Sequence, residues 1–220
     1  MSLTYLAPSW FFGYDVALEL LFAVIALMVS IFAFKMYKAT NQKQIKLFGI
    51  SFAFISISYF IQSIFNYLII TKANENVCRA FKIQSIAWFD AVGLYAHILF
   101  MTVGLAILAY MTFKTEKTRI LWLMMATSLL GIFLSINTLY MFFLFSTIYL
   151  VLLSWHFITN YLQNKQKKTL LIAVAFLFML FGSVHFLVAV NHQLFYAIGH
   201  VLELVAYLLI FLNFYLVRKK

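Results

Sequence analysis

From Ile120 to Thr159 the chain runs 40 residues without an Asp, Glu, Lys or Arg. Drawn as one helix, that run would be about 60 Å long, twice the roughly 30 Å hydrocarbon core of a bilayer. It must fold back on itself, and Ser135-Ile136-Asn137-Thr138 is the polar place to turn. The rest of the chain agrees: it is 65% hydrophobic and 10% charged, where soluble domains carry roughly 25% charged residues. A soluble fold of this size has no room to bury so much apolar surface. The expectation is an all-α, polytopic integral membrane protein in which residues 1–220 form one domain.

With the charges as punctuation, seven apolar segments emerge, at about 14–35, 46–71, 83–113, 119–136, 138–160, 169–190 and 194–217. These predict a seven-transmembrane-helix bundle. The formal charge of +10 resembles a nucleic-acid binder until its distribution is read. Lys35, Lys38, Lys43 and Lys46 follow segment one, Lys114, Lys117 and Arg119 follow segment three, and Lys165, Lys167 and Lys168 follow segment five. Arg218, Lys219 and Lys220 end the chain, whereas the opposite side holds only Lys72, Arg79 and Lys82. By the positive-inside rule the N-terminus faces out and the C-terminus faces the cytoplasm, in the plasma membrane of a prokaryote. The partner implied is the lipid bilayer, and no nucleic acid. The single cysteine, Cys78, excludes an intramolecular disulfide and a cysteine-based metal cluster. The N-terminus lacks the basic region and cleavage site of a signal peptide, and Trp10, Phe11 and Phe12 read as an interfacial lead-in.

Two phrases recur. Asn41-Gln42-Lys43-Gln44 before segment two resembles Gln163-Asn164-Lys165-Gln166 before segment six, and Ala96-His97-Ile98-Leu99 resembles Gly199-His200-Val201-Leu202. They point to a 3+1+3 pseudo-repeat, segments one to three matching five to seven with segment four as linker, a plan found among transporters.

The last segment, Phe195 to Val217, carries His200 and Glu203 three residues apart, hence on one helical face. Tyr196 and Tyr207 extend that stripe. Ionisable groups in hydrocarbon are costly and by default mark a functional site. His200 lies about 9 Å below the outer end of its segment at the helical rise. His185, His97, Asp90, Glu19, Gln62 and Asn66 fall in the same outer half. The pocket expected from this is His97, His185, His200 and Glu203, backed by Glu19, Gln62, Asn66, Asp90, Tyr196 and Tyr207. Blander roles compete: Asp90 and Glu19 as interfacial carboxylates, Gln62 and Asn66 as interhelical hydrogen-bond partners, a lone histidine as a packing residue. His156, near the inner end, reads as interfacial, and His192 as a turn residue or a rim ligand.

Three chemistries suit such a pocket. Histidines with a carboxylate can hold zinc or non-haem iron for a metal-dependent membrane enzyme, though His-x-x-Glu matches neither the Glu-x-x-His of di-iron bundles nor the zinc-protease motif. Two histidines such as His97 and His200 could ligate haem b. Without a cofactor, the set would bind a small polar or amphipathic ligand or relay protons.

The final helix, Gly199-His200-Val201-Leu202-Glu203-Leu204-Val205-Ala206-Tyr207-Leu208-Leu209, resembles that of prokaryotic MASE3-like membrane sensor regions, multi-helix modules set ahead of cytoplasmic signalling domains. The likeness covers one helix of seven. It implies a sensor, and since the sequence ends at Lys220, its output would pass to a separate signalling partner. A retinal protein would need a lysine in the last span, which has none. The His-x-x-x-His pair of adiponectin-receptor-type hydrolases is also absent, with Tyr196 and Leu204 flanking His200 at that spacing. The functional expectation is a stand-alone sensor- or receptor-like binding module. A zinc or iron enzyme, a haem protein and a 3+1+3 small-solute transporter remain as alternatives.

Overall fold

In lipid every backbone N–H must find its partner within its own segment, so apolar runs of span length become helices. The computed structural model describes residues 7–218 except 12, 75–82, 114, 116 and 191, and at 9, 70–74, 83–90 and 214–218 the backbone alone. Seven helices make up nearly all of it, with no strand among the described residues: α1 (Tyr14–Thr40), α2 (Lys43–Asn74), α3 (Ile83–Thr112), α4 (Thr118–Phe133), α5 (Thr138–Asn164), α6 (Lys167–Ala189) and α7 (Leu194–Arg218). The side chains of Lys72, Cys78, Arg79 and Lys82 lie outside the described residues.

Six helices, all but α4, are long and apolar enough to cross a membrane. The exception has 16 residues, about 24 Å at the helical rise, short of a roughly 30 Å core. The segment expected at 119–136 ends as helix at Phe133. The Ser135 hydroxyl donates to the Ile132 carbonyl at 2.9 Å, and Asn137 caps α5 by accepting from the Tyr140 N–H at 3.2 Å. Several other helices run past the expected ends into basic stretches, where long lysine stems carry their charge back to water.

The helices close a ring in which α1 packs on α2, α2 on α3, α3 on α5, α5 on α6, α6 on α7 and α7 on α1. The short α4 lies outside it, against α3 and α5. Interhelical hydroxyls tie the ring: Ser30 donates to the Gly49 carbonyl and Ser56 to that of Ala23, both at 2.8 Å, while Ser154 donates to that of Phe176 at 3.1 Å. Small residues let backbones approach, the usual basis of helix association in lipid. A Cβ on Gly104 would sit 2.8 Å from Ile55 Cγ1 and 3.0 Å from the Ser51 carbonyl oxygen, and one on Gly182 3.1 Å from that of Gly199.

Two hairpins turn alike. After α1, Asn41 takes the left-handed conformation (φ 54°) and its N–H meets the Tyr37 carbonyl at 2.7 Å; after α5, Lys165 does so (φ 48°) on the Tyr161 carbonyl at 2.7 Å. In both, the next helix begins two residues on. Such a residue satisfies a helix-end carbonyl while reversing the chain.

Candidate functional site

Each polar group in the upper bundle is held by a helix that is otherwise apolar. Glu19 stands in the second turn of α1 and is 3% exposed. From α2, the Asn66 side-chain amide donates to both Glu19 carboxylate oxygens, at 3.1 and 3.0 Å, and one turn earlier Gln62 Nε2 approaches Asn66 Oδ1 at 3.5 Å. On α7, the Glu203 carboxylate accepts from the Tyr59 hydroxyl of α2 at 3.1 Å. Neither carboxylate has a cationic partner in the cavity among the described residues, where no Lys or Arg lines it. An amide and a phenol are what offset the cost of burying them.

The histidines are oriented by the groups at Nδ1. His97 Nδ1 lies 2.9 Å from Ser58 Oγ, while that same hydroxyl donates to the His97 carbonyl at 2.8 Å. The single hydroxyl proton is thus taken, so Nδ1–H is the donor and the neutral ring keeps Nε2 as its acceptor. His200, 4% exposed, places Nδ1 3.2 Å from the Tyr196 carbonyl oxygen, which can only accept. Its Nε2 is left as acceptor in the same way. Phe11, in the 3-10 turn Ser9–Phe11, packs its ring on Tyr196 and His200, with centroids at 6.3 and 5.7 Å. The expected lead-in therefore divides, with Trp10 exposed and Phe11 buried over α7, while Phe12 lies outside the described residues.

These groups surround one cavity of about 120 Å³. Of the residues expected from the sequence, His97, His200, Glu203, Glu19, Gln62, Tyr196 and Tyr207 all line it. Asn66 stands behind Glu19 rather than on the wall. His185 is not part of the lining: its Nδ1 bonds the Phe181 carbonyl at 2.7 Å and its ring lies on Phe195, centroids 5.6 Å apart. The inward face of α6 is set by Gly182, Ser183 and Phe186, and at 3.6 residues per turn position 185 falls to its flank. The Asp90 side chain lies outside the described residues. Sequence reasoning missed Tyr59, Ser58 and Ser183; as one Tyr among 13, Tyr59 carries no signal before its neighbours are known.

The wall is rich in acceptors. Besides two carboxylates and two imidazole Nε2 atoms, the buried Gln62 Oε1 has no hydrogen-bond partner, and the Tyr207 hydroxyl has none of standard geometry. Tyr59, Tyr196, Tyr207, Ser146 and Ser183 bring hydroxyls to the same lining, so the surface suits a solute that both donates and accepts hydrogen bonds. Among the described residues no three His, Cys, Asp or Glu side chains gather closely enough to hold a metal ion, so the zinc and iron readings lack their ligand trio there. His97 and His200 both border the cavity, yet its volume is below the roughly 300 Å³ at which pockets for drug-sized ligands begin. A porphyrin does not fit between these walls as they stand. No family model, curated protein or solved structure matches the chain.

Proposed function

We propose that the chain is a sensor- or receptor-like membrane binding module whose cavity takes a small neutral solute that donates hydrogen bonds. One observation carries the reading: a cavity lined by Glu19, Gln62, His97, His200 and Glu203, with Gln62 Oε1 left without a hydrogen-bond partner. Groups this costly to bury are retained where they bind or relay something. In the same reading the bundle crosses the membrane seven times, α4 included, with the N-terminus outside and the C-terminus in the cytoplasm of a prokaryotic cell. The Lys/Arg asymmetry supports that orientation, and the cavity then lies in the outer half. The likeness of the last helix to MASE3-like regions favours a sensor that signals through a separate partner.

A solute of about six heavy atoms binds in the millimolar range, near −4 kcal/mol, so the test must tolerate weak affinity. Saturation-transfer NMR of glycerol and acetamide with detergent-purified protein is expected to give saturable signals that His200→Ala and Glu203→Gln abolish. Well-folded protein giving no signal with either solute, or variants leaving it unchanged, would overturn the reading. Tag accessibility placing the C-terminus outside would reverse the orientation.

A further inference from the structure

At the opposite end of the ring lies a second opening, a vestibule of about 360 Å³ between α1, α2, α3, α5, α6 and α7. Its polar lining includes Gln44, His156, Asn160, Lys168 and Asn213, with no carboxylate among the described residues. Asn213 is 3% exposed and its Oδ1 has no hydrogen-bond partner. A buried carbonyl oxygen without a partner is costly, and this one belongs to a residue that borders the opening.

The lining comes in matched positions. Met36 and Asn160, Gln44 and Lys168, and Phe48 and Ile172 are separated by one constant interval along the chain, and each pair borders the vestibule. The same interval links Phe52 to Phe176 and Ile55 to Met179, which border the cavity at the other end. A third-helix interval, shared by Met111 with Asn213 and Leu105 with Tyr207, likewise places one pair on each chamber. Residues at equal intervals along the chain thus line both openings in pairs.

Aromatic rings separate them. Phe52 and Phe176, both buried, floor the first chamber, while Phe48 and Phe157 border the second. Phe48 lies on Phe52 and Phe157 on Phe176, each with centroids 4.7 Å apart.

We propose that the chain moves a small neutral polyol or amide through the bundle, with the vestibule as the second solute site and the Phe52–Phe176 layer as the gate. The substrate class follows from the two walls taken together. A cation favoured by Glu19 and Glu203 would meet Lys168, and an anion favoured by Lys168 would meet the two carboxylates. A neutral solute meets neither conflict, and each chamber is lined by a residue with a side-chain oxygen lacking a hydrogen-bond partner, Gln62 in one and Asn213 in the other. The proposal rests on the cavity reading above and adds passage to it.

The test is osmotic swelling of proteoliposomes followed by light scattering, with glycerol, acetamide, choline or phosphate as solute. Glycerol and acetamide should re-swell the vesicles faster than protein-free vesicles do. Asn213→Leu should slow the protein-dependent rate about tenfold, as loss of a buried hydrogen-bond partner implies. Gln44→Leu, at the vestibule rim, should slow it less and guards against an Asn213 variant that does not fold. Phe52→Ala should speed it. Swelling at the protein-free rate while the binding signal persists would overturn passage and leave the binding module standing; loss of both would overturn both. Swelling by choline or phosphate alone would overturn the neutral class.

Discussion

The α1–α2 and α5–α6 hairpins are built alike and furnished differently. Each reverses through a left-handed residue bonded to a tyrosine carbonyl, and each ties its helices with a buried serine, Ser30 in one and Ser154 in the other. Yet where the first pair brings Glu19, Tyr59 and Gln62 to the cavity, the second brings Phe143, Ser183 and Phe186. The third helices diverge too, with Met101 and Leu105 on α3 facing Glu203 and Tyr207 on α7. A frame held by small residues and backbone carbonyls tolerates such divergence, because its contacts do not involve the side chains that changed. The bond from Tyr59 to Glu203 then crosses between the halves, so the polar wall is completed only when both are assembled.

The comparison breaks most sharply at the third helices. Gly104 of α3 stands at the same interval from Ala206 of α7 as Leu105 does from Tyr207, and Ala206 is already fully buried. Because a Cβ at 104 would press on the Ser51 carbonyl, Gly104→Val should cost about 3 kcal/mol, whereas Ala206→Gly should cost about 1 kcal/mol. Thermal melting in detergent reads both, and equal losses would show that α2–α3 and α6–α7 pack with the same tolerance.

Next in size is the contrast between Tyr59 and Ser183. Tyr59→Phe keeps the ring but strips Glu203 of its donor, an expected loss of about 2 kcal/mol together with the glycerol signal. Ser183→Ala removes a bond to Thr147, 2.8 Å long, worth about 0.6 kcal/mol in a membrane, and should spare most of that signal. A Tyr59→Phe protein that melts and binds as the parent does would remove the polar difference between the halves.

The hairpin turns offer a finer test. Lys165 holds a conformation that costs an L-residue about 1–2 kcal/mol and that Asn adopts more readily, so Lys165→Gly should raise stability by about 1 kcal/mol and Asn41→Gly by far less. Equal gains would mean the two turns are strained alike. Smallest of all, His185→Ala should leave the glycerol signal unchanged, in contrast to His200→Ala. A loss of signal would move the pocket toward the flank of α6.

Helix number and the approximate place of each helix were legible in the sequence. Lysines and arginines gather at the ends of apolar runs, where the chain can reach water, and polar turns such as Ser135 to Thr138 stand where a run exceeds the bilayer. The depth of Glu19, His97, His200 and Glu203 could be counted in residues from those boundaries. Rotation could not. Helices that are apolar on most sides carry no stripe to say which face turns inward, so His185 looked equivalent to His200 although only the latter meets the cavity. Tyr59, Ser58 and Ser183 were invisible for the same reason.

Composition and the order of apolar and basic stretches therefore determined that this chain forms a bundle of membrane-spanning helices and roughly where each begins. Tertiary structure alone decided the ring order, the exclusion of α4 from it, and which polar groups share a chamber. The cause is physical: transfer into lipid depends on how apolar a segment is along its length, whereas helix–helix association depends on close packing at particular faces. The approach of Gly104 to the Ser51 carbonyl and the reach of Tyr59 to Glu203 belong to that second kind of contact.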